Sequence, residues 1–527
     1  MRKSFWLALA FSLFISFSVN AQVPGSAIDV KHYLFSVKLN DQNDTIKGKA
    51  AITVKYLKDA SSFHLDLAKP NNAGKGMLVS SVTENGAIVP FQQNADDMDI
   101  TANAKIGCLH TYTITYQGIP ADGLIISKNK FGHRTFFGDN WPNRAHNWVP
   151  CVDDPADKAT VEFKITAPDH YQVAANGAKV SETNLPDGLK ETYWKESEPL
   201  STKVMVIGVA DFAIDHLADV GKIPVYTYVF PENKEAGFKG YAYAKEILAF
   251  YISKFGPYAF EKLANVQSKT IFGGLENAGC IFYYENSVGD PKMEELMGHE
   301  IAHQWFGDAA SETSFAHLWL SEGFATYMTN VYFGHKYGEA AIKQRLENER
   351  KKALDYEKQR TTPVVDTTVK SNFMQLLNPN SYEKGGWVLR MLNHKLGDKA
   401  FWKGIRAYYA KYDGGNASTN DFRKVMEQAS GQDLKAFFNQ WLYSAPTPNL
   451  EISWKYNARK KAVDLTITQM QDKALDFPLE LGIGGKTRIV KIKNKEAHLS
   501  LPVTAKPAAV TTDPNVNLLA RFDVKAG

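Results

Sequence analysis

The segment MEELMGHEIAHQWFGD (293–308) contains two histidines that flank a glutamate at a fixed spacing. His299 and His303 are four residues apart, so on a helix both imidazoles leave the same face. This arrangement lets two neutral ring nitrogens reach one Zn²⁺ at about 2.0–2.1 Å. Glu300 follows the first histidine and is placed to take a proton from an attacking water molecule. The motif predicts a helix that carries a zinc site and a general base.

A third protein ligand is expected downstream, in HLWLSEGFATYMTN (317–330). Catalytic zinc sites take three ligands from the protein and keep one position open. Glu322 follows His303 with eighteen residues between them. We predict a helix that starts here, with Ser321 as its N-cap and Glu322 in its first turn near the metal. The alternative for Glu322 is a carboxylate that only stabilises the helix dipole.

The elements around these motifs change in pattern along the chain and predict a multidomain α+β protein. Residues 22–215 have strand-like alternation, including KVMVIGVADFAI (203–214), and predict an N-terminal β-sandwich-like domain. Residues 216–445 have mostly helical spacing and hold the metal motif, so they predict the catalytic domain. Residues 446–527 return to strands and predict a small C-terminal β module.

Residues 1–21, MRKSFWLALAFSLFISFSVNA, have the layout of a secretory signal peptide. A short basic start precedes an apolar run that is well below the roughly 20 residues of a spanning helix. Cleavage after Ala21 is therefore favoured over an uncleaved membrane anchor. We expect export to the periplasm or the extracellular space, with no stable membrane anchor after the signal is removed.

Composition excludes several classes of protein. The 527 residues carry 61 Lys+Arg against 57 Asp+Glu and show no dense basic stripe, so no nucleic-acid partner is expected. The apolar fraction of 44% excludes a mainly disordered chain. The three cysteines allow at most one internal bridge. Either Cys108 and Cys151 are linked or they are unlinked, and no role is assigned to Cys280.

The combined pattern HEIAHQWFGD…LWLSEGFATYM closely resembles the gluzincin zinc metallopeptidases of the aminopeptidase N family, which includes the leukotriene hydrolase/aminopeptidases. The segment IFGGLENAG (271–279) is similar to the family's G-x-M-E-N motif, with Leu275 where methionine is usual. NSYEKGGWVLRMLNHKLG (380–397) resembles its Y-E-K-G segment. The resemblance covers the chain after residue 21 and implies the short three-domain form with a thermolysin-like catalytic domain.

The resemblance also implies a role for each matching residue. One Zn²⁺ per chain would be held by His299, His303 and Glu322, with Glu300 as the general base. Tyr382 would donate a hydrogen bond to the oxyanion of the tetrahedral intermediate. The substrate-binding residues would be Gly273, Gly274, Leu275, Glu276 and Asn277. Of these, Glu276 would bind the free α-ammonium group of the peptide, and the glycine backbone would hold the extended substrate as an added strand.

One departure from the family pattern concerns substrate binding. Many members carry a glutamine from the N-terminal β domain that also touches the ammonium group. Here the corresponding region reads FFGDNWPNRAHNWVPC (136–151), without a glutamine. We place Asp139 at this position as a further substrate-binding residue.

The predicted function is an exported zinc-dependent aminopeptidase, whose partners are peptides with a free N-terminus. Three alternatives remain open. The first is a peptide-binding protein without catalysis, against which the intact metal and base motif argues. The second is epoxide hydrolysis at the same zinc site, which needs a long apolar tunnel. The third is a thermolysin-like endopeptidase, against which the carboxylate of Glu276 argues, because a buried carboxylate needs a cation opposite it.

Overall fold

The computed structural model describes residues 22–526, and the predicted signal peptide at 1–21 lies outside the described residues. An N-terminal β region, a mostly helical region and a C-terminal β region follow one another along the chain. This order confirms the predicted multidomain α+β fold class.

The N-terminal region is built almost entirely of strands. In β2, for example, buried and exposed side chains alternate, which is typical of a strand with one face on a core. An eight-stranded sheet has the order β13-β14-β11-β1-β2-β8-β4-β5, and smaller sheets contain β12-β15-β10-β9 and β3-β7-β6. The strands are β1 Ile28–Lys38, β2 Ile46–Tyr56, β3 Ala60–Asp66, β4 Gly76–Glu84, β5 Ala87–Ile88, β6 Phe91–Gln93, β7 Asp97–Ala104, β8 Leu109–Ile119, β9 Leu124–Lys128, β10 Arg134–Gly138, β11 Ala159–Pro168, β12 Gln172–Ala175, β13 Ala178–Leu185, β14 Leu189–Leu200 and β15 Ile207–Ala210.

The helical region contains one mixed five-stranded sheet beside its helices. Its strands are β16 Ala213–Val220, β17 Ile223–Val229, β18 Leu263–Ser268, β19 Gly274–Leu275 and β20 Cys280–Tyr284, in the order β16-β17-β18-β20-β19. A two-stranded sheet pairs β21 Ala310–Glu312 with β22 Gly415–Ala417. The helices are α1 Lys234–Gly240, α2 Tyr243–Phe255, α3 Met293–His303, α4 Trp319–Tyr337, α5 Glu339–Gln359, α6 Gly385–Leu396, α7 Asp398–Tyr412, α8 Thr419–Ser430 and α9 Lys435–Leu442. Within the described part of the chain, no helix combines the length and apolar character needed to cross a bilayer.

The C-terminal region forms two facing sets of strands. A four-stranded sheet has the order β27-β24-β23-β29, and a three-stranded sheet has the order β26-β25-β28. The strands are β23 Asn449–Asn457, β24 Ala462–Gln469, β25 Phe477–Ile483, β26 Lys486–Ile492, β27 Glu496–Pro502, β28 Val510–Thr512 and β29 Arg521–Ala526.

The segment KVMVIGVADFAI (203–214) is not one continuous stretch of strand. Its middle part forms β15 in the N-terminal region, whereas its end begins β16 in the five-stranded sheet. The chain passes between two sheets here, so an apolar run that reads as one strand is divided between them. The predicted domain boundary at residue 215 falls inside β16.

All three cysteines are free thiols. Cys108 is exposed, whereas Cys151 and Cys280 are buried. Of the two alternatives for Cys108 and Cys151, the structure therefore has the unlinked one.

Candidate active site and metal centre

The two histidines and the downstream glutamate meet where α3 packs against α4. The Nε2 atoms of His299 and His303 are 3.1 Å apart. Oε2 of Glu322 lies 3.2 Å from Nε2 of His299 and 3.3 Å from Nε2 of His303. These three atoms form a nearly equilateral triangle, and the three side chains are among the groups that could hold a metal ion.

The size and chemistry of this triangle fit zinc. Tetrahedral bonds of about 2.0–2.1 Å place neighbouring ligand atoms about 3.3 Å apart, close to all three measured distances. Two imidazole nitrogens and one carboxylate oxygen form a His₂Glu donor set, which is a known ligand set of catalytic zinc. The residues present therefore fit the predicted ion.

Ser321 does not cap α4, contrary to the prediction. The helix starts at Trp319, because a single-turn 3₁₀ helix leads into it and Leu318 occupies the cap position. Ser321 is instead fully buried, with Oγ 2.9 Å from Nδ1 of His303. When Nε2 of His303 faces a metal, Nδ1 carries the proton and donates to Ser321. Gly307, at φ +129°, makes room for this contact, since a Cβ there would collide with the serine hydroxyl.

Glu300 projects from α3 onto the edge strand β19. A Cβ on Gly274 would collide with the Glu300 carboxylate, so the glycine allows the base to lie directly on the strand backbone. Glu300 is 5% exposed. It lines the same cavity as His299, His303 and Glu322, which together form the metal triad. Burial raises the pKa of its carboxyl well above the usual range, although His303 opposes the rise.

Tyr382 lies beside the metal triad, in a π-helical turn (Asn380–Lys384) that precedes α6. Its hydroxyl donates to Oε1 of Glu322 at 2.9 Å. Its ring lies nearly parallel to the imidazole of His299, with 5.9 Å between centroids and 11° between planes. These two contacts fix the hydroxyl next to the open side of the metal triad.

Glu276 shares a cavity of about 260 Å³ with the metal triad and Glu300. Gly273, Gly274 and Leu275 line the same cavity, and β19 is the edge of its sheet, which leaves one side of the strand unpaired. Oε1 of Glu276 is buried without a hydrogen-bond partner among residues 22–526. The structure thus brings these predicted substrate-binding residues into one cavity with the metal triad and Glu300.

Asn277 does not line this cavity. Its side chain is fully buried behind Glu276, and in the described residues neither of its polar side-chain atoms has a hydrogen-bond partner.

The structure also does not bring Asp139 to the cavity. Its carboxylate is fully buried and ion-paired with Arg144, and it accepts hydrogen bonds from the Thr270 hydroxyl at 3.0 Å and the Ile271 backbone N–H at 2.9 Å. Through these bonds the Asp139 carboxylate holds the loop that precedes β19. Trp141, two residues further along, lines the cavity instead. Nothing in the sequence of residues 136–151 singles out Trp141 as the residue that faces the cavity.

A second cavity, of about 590 Å³, adjoins the first. Leu296, His299 and Tyr382 line both cavities, so the two adjoin at these residues. Glu276 lines only the smaller one. A chain that passes through both cavities would run past His299 and Tyr382.

Comparison with known proteins agrees with this geometry. Residues 29–204 match the Peptidase M1 N-terminal domain, and residues 240–441 match the Peptidase family M1 domain. The chain is 29% identical to glutamyl aminopeptidase of Homo sapiens over 339 residues, which are 61% of this chain and 35% of the relative. It is 27% identical to probable aminopeptidase 2 of Sulfurisphaera tokodaii over 396 residues (72% of this chain, 50% of the relative). Glutamyl aminopeptidase of Rattus norvegicus is 28% identical over 465 residues (82% and 48%). The chain thus spans about half the length, or less, of these curated relatives.

Proposed function

Because the chain belongs to the peptidase M1 family, we propose that it is an exported zinc-dependent aminopeptidase that removes the N-terminal residue from peptides. The observation that supports this most strongly is the position of Glu276, a buried carboxylate with an unpartnered oxygen in the same cavity as the metal triad. Export is proposed from the signal-like sequence of residues 1–21.

His299, His303 and Glu322 would hold the zinc ion. When bound, zinc polarises the scissile carbonyl and makes water a nucleophile near neutral pH. Glu300 accepts the proton of the attacking water and delivers it to the leaving amine. The Tyr382 hydroxyl donates to the oxyanion that forms at the carbonyl carbon.

Glu276 makes the site selective for a free N-terminus. An α-ammonium group would give the unpartnered carboxylate oxygen a charged donor, which a blocked terminus lacks. Gly274 on the edge strand and Gly273 directly before it would pair with the substrate backbone. The rest of the peptide would leave through the 590 Å³ cavity, on the far side of His299 and Tyr382.

The cavity of about 260 Å³ would also receive the side chain of the first residue of the substrate, and it should favour a large apolar one. Its apolar lining residues are Trp141, Phe272, Leu275, Leu296 and Leu377. Among the described residues, no lysine or arginine lines this cavity. An acidic first residue would enter without a partner, at the desolvation cost of an unpaired charge. The expected preference for an apolar first residue therefore differs from the glutamyl residue in the name of the two glutamyl aminopeptidases.

A panel of fluorogenic amides tests the proposal. The panel contains leucyl, phenylalanyl, glutamyl and N-acetyl-leucyl amides, each assayed with and without a zinc chelator. The leucyl and phenylalanyl amides should be cleaved about 100-fold more efficiently than the glutamyl amide. The acetylated amide should resist cleavage, and chelation should abolish activity.

Each arm of this panel can reject one part of the proposal. Equal cleavage of the acetylated amide would reject the exopeptidase assignment, and activity that survives chelation would reject the metal. Efficient cleavage of the glutamyl amide would reject only the apolar preference.

The Ser321→Ala variant should bind zinc about 10-fold more weakly than the wild type. Its hydroxyl is the side chain that fixes the ring of His303, and loss of such a partner typically weakens a site by about 10–100-fold. Competition with a chromophoric chelator measures the affinity. Ser311→Ala is the matched control, because Ser311 is equally buried but bonds only the backbone carbonyl of Asp308. The same affinity in both variants would contradict the role of Ser321.

A further inference from the structure

Gln304 is a buried amide that is hydrogen-bonded through both its side-chain nitrogen and its side-chain oxygen. Its side-chain nitrogen donates to the backbone carbonyl of Glu276 and to Oδ2 of Asp308, both at 2.8 Å. Its side-chain oxygen accepts from the backbone N–H of Gly279 at 2.7 Å. The Tyr258 hydroxyl lies 3.2 Å from the same oxygen, but its one proton has a nearer acceptor in the backbone carbonyl of Lys262 at 3.0 Å. The residue is 1% exposed. Glu276 and Asp308 offer acceptors and the Gly279 N–H is a donor, so only one orientation of the amide satisfies all three.

We propose that Gln304 is a positioning residue, which sets the distance between the amine-binding carboxylate of Glu276 and the metal. This role rests on the proposed aminopeptidase function, in which Glu276 binds the substrate amine. Gln304 follows His303 directly, so any shift of the metal ligand moves the amide with it. The amide contacts both ends of the segment 276–279, and it thereby joins the amine site to the metal helix.

The backbone is what positions the Glu276 carboxylate. In the described part of the chain, Oε1 has no hydrogen-bond partner, so no bond to that oxygen fixes the side chain before substrate binds. Its location therefore follows from the placement of the Glu276 main chain. The carbonyl of that same residue is the group that accepts from Gln304.

The substrate makes this distance matter. In an α-aminoacyl group the amine nitrogen and the carbonyl carbon are joined through one Cα, so they are about 2.5 Å apart. The Glu276 carboxylate must reach the amine while the metal reaches the carbonyl, so the spacing of these two groups must suit this short internal distance. A misplacement of about 1 Å can cost about 100-fold in rate. A β-aminoacyl group, with one more carbon, would fit the same spacing poorly.

Two variants of Gln304 test the role, with β-homoleucyl amide as a probe beside leucyl amide. Gln304→Met removes both donors and the acceptor at similar size. Gln304→Glu keeps the acceptor for Gly279 but places a carboxylate against the Glu276 carbonyl. Both variants should keep one zinc per chain and lose about 100-fold in kcat/KM for leucyl amide. The preference for the α- over the β-substrate should fall at least tenfold.

Gln267→Met is the matched control, because Gln267 is a fully buried amide in β18 of the adjacent sheet. It accepts from the Phe230 backbone at 2.9 Å and donates to Asn233 and Glu285 at 2.8 Å and 2.7 Å. Its replacement should lower the melting temperature without changing the preference for the α-substrate. A purely structural role for Gln304 would give the same result as this control.

Three outcomes would overturn the proposal. The first is unchanged kcat/KM in folded, zinc-loaded Gln304 variants, and the second is an unchanged preference for the α-substrate. If neither variant folds, the wild type still decides, because equal cleavage of the α- and β-aminoacyl amides would show that the spacing is not selective. Failure of the aminopeptidase function itself looks different, since the wild type would then cleave neither amide.

Discussion

The Glu300→Gln variant should lose about 10³-fold in kcat for leucyl amide while it keeps one zinc ion per chain. A glutamine has the same shape, so it can lie on the Gly274 backbone as the glutamate does. An amide does not accept a proton from water, however, and general-base catalysis contributes about 10²–10⁴-fold. Glu300 lies on α3 between the two histidine ligands but is not itself part of the metal triad. The variant should therefore keep its zinc ion and lose only its turnover.

Metal analysis and steady-state kinetics on the same preparation measure both quantities. Glu294→Gln is the matched control, because Glu294 is also buried on α3 and accepts hydrogen bonds from Tyr332 and Tyr337. Glu294 lines neither cavity, so its variant should keep full turnover per folded molecule. A Glu300→Gln enzyme with near wild-type kcat would remove Glu300 from the role of base. Loss of zinc in the Glu300→Gln variant would instead show that Glu300 supports metal binding.

The metal triad could be predicted from sequence because its geometry is mostly local. Two of its members occupy one face of a single helix, and the i, i+4 spacing fixes their separation. Glu322 required one further step, the packing of α4 on α3. The observed distances of 3.1–3.3 Å confirm that the three side chains converge.

Ser321 shows why the surroundings of the triad could not be predicted in the same way. A serine before a glutamate is typical of a helix N-cap, and local propensity favours that interpretation. The actual start of α4 depends on the preceding turn (Phe315–His317), which leads into the helix at Trp319. Ser321 then faces His303, eighteen residues away in sequence, and tertiary packing decides its role.

Asp139 and Trp141 illustrate a second limit. Both belong to the loop after β10, and the resemblance to the family predicts that one residue of this loop reaches the substrate. Which of them faces the cavity depends on partners far away in sequence. Thr270 and Ile271 bind the carboxylate of Asp139, and Trp141 packs edge-on against Phe272 at 6.0 Å. Contacts of this range leave no local pattern in the sequence, and the same is true of the bonds from Gln304 to Glu276 and Gly279.

Replacement of Tyr382 by phenylalanine should reduce kcat by about 10²–10³-fold and change KM much less. The ring position should survive, because the parallel contact with His299 does not involve the hydroxyl. What is lost is the hydroxyl that we propose donates to the oxyanion, and such a donor contributes about 2.7–4 kcal/mol to the transition state. Burial raises the pKa of the phenol well above its usual value, so the hydroxyl stays protonated and able to donate.

Tyr327→Phe is the matched control, since Tyr327 is buried on α4 and its hydroxyl accepts from Asn393 at 3.0 Å. It lines neither cavity, so its loss should affect stability and leave kcat unchanged. A Tyr382→Phe enzyme with a raised KM and unchanged kcat would mean that the hydroxyl binds substrate and transition state equally. A fall in zinc content would mean that its bond to Glu322 serves the metal instead. Only a selective fall in kcat with zinc retained fits a hydroxyl that donates to the oxyanion, because that charge is absent from the bound substrate and develops only as the tetrahedral intermediate forms.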